Sequence, residues 1–234
     1  MPGSGVTVAR VIEIFSRGAS HGPHCFLASP TRIKDLMSLI SYNGGLVPVI
    51  HSGDRRVKLL APTEKLIDPA KRWLREFLQI VRLVLPLQME ALDVSNELLG
   101  EILSYIIFAY ANGGFILYEG YPEIRKCMMR EAGYHVLMYL LSTMHTQCDG
   151  IVLANTPFEK MSRQFNVARA TIRNVFNNLA SDGHINIERG GHHVILSPHF
   201  IELCDHWIAL ELVWMHGLAL AAWGNIHALH PSPQ

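Results

Sequence analysis

Forty residues, Pro157 to Leu196, constrain this chain more than any other stretch: PFEKMSRQFNVARATIRNVFNNLASDGHINIERGGHHVIL. Their pattern predicts a helix, a tight turn, a second helix and a two-stranded hairpin. Thr156 is placed to cap the first helix, with Pro157 in its first helical position and Glu159 three residues after the threonine. That spacing is a capping box, and the proline sits where its missing N–H costs nothing. Phe158, Met161 and Phe165 share a helical face. A break at Asn166-Val167 leads into a second helix from Ala168 to Ser181, with Ile172, Val175, Phe176 and Leu179 turned inward. Its opposite face carries Arg169, Ala170, Arg173, Asn174 and Asn177. Asp182-Gly183 stops it, because glycine accepts the left-handed conformation just past a helix end. Ile185 and Ile187, then Val194 and Leu196, alternate as short strands, with Arg189-Gly190-Gly191-His192 at the tip.

This arrangement resembles the winged helix-turn-helix of bacterial transcription regulators, particularly the GntR and MarR types. Val167-Ala168-Arg169-Ala170-Thr171-Ile172-Arg173 is close to the start of a GntR-like recognition helix, with Ala168 standing where those proteins usually have serine. An alanine cap loses about 1 kcal/mol. The resemblance implies double-stranded DNA as partner. A helix fits the major groove, where Arg pairs bidentately with guanine and Asn with adenine. The competing reading is a winged helix used only for protein contacts.

A second segment, Ser29 to Leu66, is similar to the recognition helix and wing of the MarR family. Ser29-Pro30 opens a helix running to about Tyr42, expected to bury Ile33, Leu36, Leu39 and Ile40 and to expose Thr31, Arg32, Lys34, Asp35 and Ser38. Leu46–Ile50 and Val57–Leu60 read as strands around a turn containing Asp54, Arg55 and Arg56. By the resemblance, Arg56 is the wing arginine of the minor groove, Asp54 orients it by a charge-assisted hydrogen bond, and Arg55 reaches a phosphate. The 13 residues from Arg17 to Ser29 are short for two regular helices, so the first half of this motif is abbreviated.

Between and after these segments the chain is apolar. A helix opens at Asp68-Pro69 and ends near Pro86, exposing Lys71, Arg72, Arg75 and Arg82. Leu87–Ala111 reads as one long apolar helix, Ile124–His145 as the first helix of the second winged unit with Tyr134, Leu137, Met138 and Leu141 inward, and His199–Trp223 as a closing helix striped by Trp207, Leu210, Trp214 and Leu218. The expected organisation is a winged domain over 1–86, an apolar connecting or dimerisation helix over 87–121, a second winged domain over 122–198, and a packing or dimerisation helix with a loose tail over 199–234. The fold class is mainly α with small β-hairpin wings.

Charge supports this placement. The formal net charge is zero, but residues 1–92 hold 12 Lys and Arg against 7 Asp and Glu, and residues 157–196 hold 5 against 3. Positive charge collects where the DNA-reading elements are expected. Four separated cysteines without a CxxC, and no signal peptide, point to a reduced cytoplasmic protein. Trp207–Trp223, with Glu211 and His216, reads as too short for a membrane span. His21, His24 and Cys25 cluster, as do His192 and His193, but without established zinc spacing. No nucleophile elbow, phosphate loop, dinucleotide fingerprint or zincin motif occurs, so neither catalysis nor a cofactor is expected.

The resulting expectation is a sequence-specific transcription regulator acting as a homodimer, with any small-molecule effector unspecified. Its DNA-contacting residues are Thr31, Arg32, Lys34, Ser38, Arg55, Arg56, Arg169, Thr171, Arg173, Asn174, Asn177 and Arg189. The alternative is a tandem winged-helix assembly protein of the kind used in replication or chromosome organisation.

Overall fold

A computed structural model describes residues 5–17, 29–50, 58–86, 94–111, 117, 120–147, 152–188 and 193–229. Among these residues the chain is mainly helical with two small antiparallel sheets. It divides into two compact units, one of residues 1–116 with 212–234 and one of residues 117–211.

In the first unit, α1 spans Val8–Arg17 and α2 spans Pro30–Tyr42. Ser29 caps α2, its hydroxyl accepting from the Arg32 N–H at 3.2 Å. Strands β1 (Leu46–Ile50) and β2 (Lys58–Pro62) pair antiparallel, Leu46 opposite Pro62 and Ile50 opposite Lys58. Val6 joins the other edge of β2 through two 2.9 Å backbone bonds to Leu60. Thr63 anchors the next turn: its hydroxyl donates to the Gly44 carbonyl at 2.7 Å. That carbonyl precedes Gly45, and Gly44 itself takes the left-handed φ of 73° that ends α2.

Helix α3 covers Glu64–Val84, starting five residues before the Pro69 that was expected to be in its first turn. Pro69 is therefore inside the helix, and the N–H it lacks cannot reach back one turn. The backbone bonds from Leu66 and Ile67 to the Thr63 carbonyl start the helix ahead of it. Helix α4 spans Asn96–Ala111, with the Ser95 hydroxyl accepting from the Leu98 N–H at 3.1 Å. The core joins Leu74, Leu78 and Val81 of α3, Leu98, Leu99 and Ile102 of α4, and Met215, Ala219 and Ala222 of the last helix. No α2 residue belongs to it. That is why only Ile33 of α2 is buried, while Leu36 and Leu39, expected inside, are 55% and 57% exposed.

The second unit opens with α5 (Pro122–Met128) and α6 (Gly133–Thr143), where one helix had been expected. Ala132 breaks it with a left-handed φ of 61°, and Gly133 then lies against the Cys127 carbonyl, where no Cβ fits. Because α6 starts there, Val136, Leu137 and Leu140 face inward, and Tyr134 is 40% exposed. Then come β3 (His145–Thr146), β4 (Val152–Asn155), α7 (Phe158–Phe165), α8 (Arg169–Ser181), β5 (Ile185–Ile187) and β6 (His193–Leu196). The sheet order is β3-β4-β6-β5. The expected hairpin is thus the outer part of a four-stranded sheet, in which β4 pairs with β6 from Leu153 opposite Ile195 to Asn155 opposite His193.

Both units share a connectivity. Among the described residues an extended segment precedes two helices and a hairpin and pairs with the hairpin's second strand: Val6 with β2 through a single bridge in one, strand β4 with β6 in the other. Helix α9 (Pro198–Leu229) places Phe200, Cys204 and Trp207 in the second unit's core and Met215, Ala219 and Ala222 in the first's. At 32 residues it is longer than its apolar stripe suggested, and by length and composition it could cross a membrane.

Candidate nucleic-acid interface

Helix α7 begins one residue later than its sequence signals. Pro157 holds the cap position without a side-chain cap bond, Thr156 is buried, and no capping box forms. The Glu159 carboxylate is instead engaged by Arg163, one turn on, at 2.9 and 3.2 Å. The turn to α8 is Asn166-Val167-Ala168. Asn166 adopts φ 53°, a left-handed conformation that asparagine tolerates. The Ser162 hydroxyl donates to the Val167 carbonyl at 2.7 Å, and the Val167 N–H returns a bond to the Ser162 carbonyl at 3.1 Å. These bonds fix the angle between the helices from within the turn.

Ala168 caps α8 with an extended backbone and no side-chain bond, as an alanine must. Ile172, Val175, Phe176 and Leu179 are buried. Phe176 meets the Phe158 ring edge-on at 5.0 Å between centroids, a favourable aromatic geometry. The core contacts hold α8 on one side only. Arg169, Arg173, Asn174 and Asn177 are exposed on the other, and Thr171 is half-buried at its edge.

The helix ends in a tight backbone lock. The His184 N–H bonds to the Leu179 carbonyl at 2.9 Å and the Gly183 N–H to the Ala180 carbonyl at 3.0 Å, with Gly183 at φ 76°. This is a Schellman closure. The Ser197 N–H bonds to the His184 carbonyl at 2.9 Å, so one residue ties the end of α8 to the hairpin's return. Lys126 pairs with Asp182 at 2.6 Å, and that bond holds the Asp182 carboxyl below its usual pKa. His184 stacks on Phe200 at 4.8 Å, and burial lowers its pKa. A 540 Å³ cleft lies beside this junction, lined by Glu123, Lys126, Asp182, His184, Ser197 and His199 among others.

In the first unit, Thr31, Arg32, Lys34 and Ser38 are all exposed on α2. They share that surface with Leu36, Leu39 and Tyr42, which give it an apolar character that α8 lacks. Arg55, Arg56 and Arg189, with Asp54, lie outside the described residues, as do His21, His24 and Cys25. Two exposed residues of α7, Lys160 and Gln164, were missed by the sequence reading. Their signal was the polar face opposite Met161 and Phe165, which had been read only for its inward side. Among the described residues no three His, Cys, Asp or Glu side chains gather in a way that could hold a metal ion. Comparisons with protein-family models, with curated proteins and with solved structures found no match.

Proposed function

We propose that this chain is a DNA-binding transcription regulator built from two winged helix-turn-helix units, with α8 as its principal reading helix. The observation that carries the reading is α8 itself. A buried apolar face anchors it rigidly, and two arginines and two asparagines are presented outward along its length. Those side chains have the donors and acceptors that recognise guanine and adenine edges in the major groove. The topology around it agrees. A strand, two helices and a hairpin, with the first strand pairing to the last, form the scaffold a winged reader needs. Asn186, exposed on β5, offers a further hydrogen-bonding group to the backbone beside the groove.

A second reading, the tandem winged-helix assembly protein, draws on α2, whose exposed Leu36, Leu39 and Tyr42 suit a protein surface better than a phosphate backbone. Selecting bound duplexes from a random DNA pool separates the two. A regulator enriches a defined motif over successive rounds. A pool that stays random after repeated rounds refutes DNA reading and leaves the assembly role.

A further inference from the structure

Helix α3 leaves an apolar strip uncovered along its whole length. Its core face is Leu74, Leu78 and Val81, all fully buried. About 100° around the helix, at 100° per residue, stand Leu66, Trp73, Ile80 and Val84 nearly in line. They are 36%, 46%, 50% and 61% exposed, and Leu83 beside them is 83% exposed. Taking about 150–250 Å² for each full side chain, the strip presents roughly 500 Å² of apolar surface. That is near the upper end of the largest patch on an ordinary monomer. With a polar rim it approaches the roughly 800 Å² per partner of a standard interface. The seven-residue step from Leu66 to Trp73 to Ile80 is that of a helix–helix seam.

We propose that this strip joins two copies of the chain through an antiparallel α3–α3 pair around a twofold axis. The rim selects a second copy and fixes its direction. Arg72 and Glu76 lie one turn apart on the same edge of the strip, and neither makes an ion pair within the chain among the described residues. With the axis level with Leu74 and Arg75, Arg72 of each copy stands level with Glu76 of the other, and Leu66 with Leu83. In a parallel pair the two Arg72–Glu76 edges would fall on opposite sides of the seam and never meet, so only the antiparallel direction brings Arg72 to Glu76. Helices α4 and α9, read from sequence as connecting, packing or dimerisation helices, bury Leu98, Leu99, Ile102, Met215, Ala219 and Ala222 within one core. A shorter exposed stripe on α4, Leu103 with Ile107, is the competing face.

Sedimentation velocity on the full chain tests this across a concentration series at physiological salt. The wild type is expected to reach dimer mass. Ile80→Glu combined with Leu83→Glu is expected to weaken association at least about 100-fold, because each copy would bury two unpaired carboxylates. Arg72→Glu alone and Glu76→Arg alone each weaken it several-fold by opposing like charges. The Arg72→Glu/Glu76→Arg swap restores it, because the pairs re-form with reversed sign. Ile107→Glu leaves the mass unchanged. Far-UV circular dichroism accompanies each variant; if the strip variant loses helix, the two exposed charge variants and their swap decide alone. A wild type that stays monomeric, including one that instead floats with anionic phospholipid vesicles, overturns the proposal. So does a folded strip variant that keeps dimer mass, a swap that fails to restore association, or dissociation by Ile107→Glu.

Discussion

Arg173→Ala is the sharpest perturbation of the proposed reading helix. Arg173 is exposed, and no hydrogen bond or ion pair engages its side chain among the described residues. Its neighbours Ile172 and Phe176 hold the helix in place without it. Alanine is also the best helix former, so stability should change by no more than about 0.5 kcal/mol. Binding should respond much more. A bidentate contact to a base is worth about 1–3 kcal/mol of discrimination, or about five- to 150-fold in affinity. Fluorescence anisotropy with the selected duplex and its single-base variants, at two salt concentrations, reads this out. The expected result is a loss on the preferred site and relaxed preference at one base pair. An even loss on every sequence, with the salt slope reduced by about one, would reassign Arg173 to a phosphate. Unchanged affinity on every duplex at both salts, in a folded variant, would remove α8 from the DNA and refute the argument.

Three further outcomes test the fold beneath the site. Truncation after Pro198 strips Phe200, Cys204 and Trp207 from one core and Met215, Ala219 and Ala222 from the other. At about 1.5–3 kcal/mol for each large side chain, Phe200, Trp207 and Met215 alone account for about 4.5–9 kcal/mol, comparable to an ordinary domain's reserve of about 5–15 kcal/mol, so the product should be insoluble or unfolded by circular dichroism. Gly133→Ala should cost at least about 2 kcal/mol in urea unfolding, since a Cβ there would stand 1.8 Å from the Cys127 carbonyl oxygen. His184 sets a pH dependence. Its folded pKa lies below the ordinary 6.5 through burial, so the unfolded chain takes the proton first. Its contribution is complete above that value and is lost as pH falls below it. The wild type should therefore lose stability between pH 7.5 and 5.5, in urea unfolding, relative to His184→Phe; an equal loss in both would discount His184.

The two units were not equally legible. Around α8 the turn and the stop are set by residues with a local reason: Asn166 in the turn and Gly183 at the stop. The inward face followed from spacing, because one helix side meets a continuous core of Met161, Val175 and Phe176. What the spacing missed is non-local. Val152–Asn155 is four residues without alternation, and it becomes a strand because β6 offers an unpaired edge. Glu64–Asp68 precede a proline and should have been coil, but the Thr63 hydroxyl and backbone N–H both fasten to the α2–β1 turn, and the carbonyl of Thr63 then starts α3. The break at Ala132 likewise depends on how closely α5 and α6 approach at Gly133.

Leu36 and Leu39 mark the most informative failure. Their spacing with Ile33 and Ile40 is that of a buried helical face, and a single-domain argument would bury them all. Burial, however, requires a partner on that side, and the first unit builds its core from α3, α4 and the end of α9 without α2. The same allocation leaves the α3 strip uncovered, so the first unit keeps apolar surface on α2, α3 and α4, while the described residues of the second expose Met129 and Tyr134 as their large apolar side chains. The helices of the second unit that follow β4 expose polar side chains instead: Lys160 and Gln164 on α7, Arg169, Arg173, Asn174 and Asn177 on α8. On the proposed reading this difference is a division of labour. Apolar surface on the first unit favours association between proteins, since water gains by its removal. The polar outward face of α8 gains nothing from an apolar partner and has the hydrogen-bonding groups a base edge requires. A chain with zero net charge has little electrostatic excess to hold DNA non-specifically, so pairing two copies through α3 would add, by a second reading helix, to what that attraction supplies.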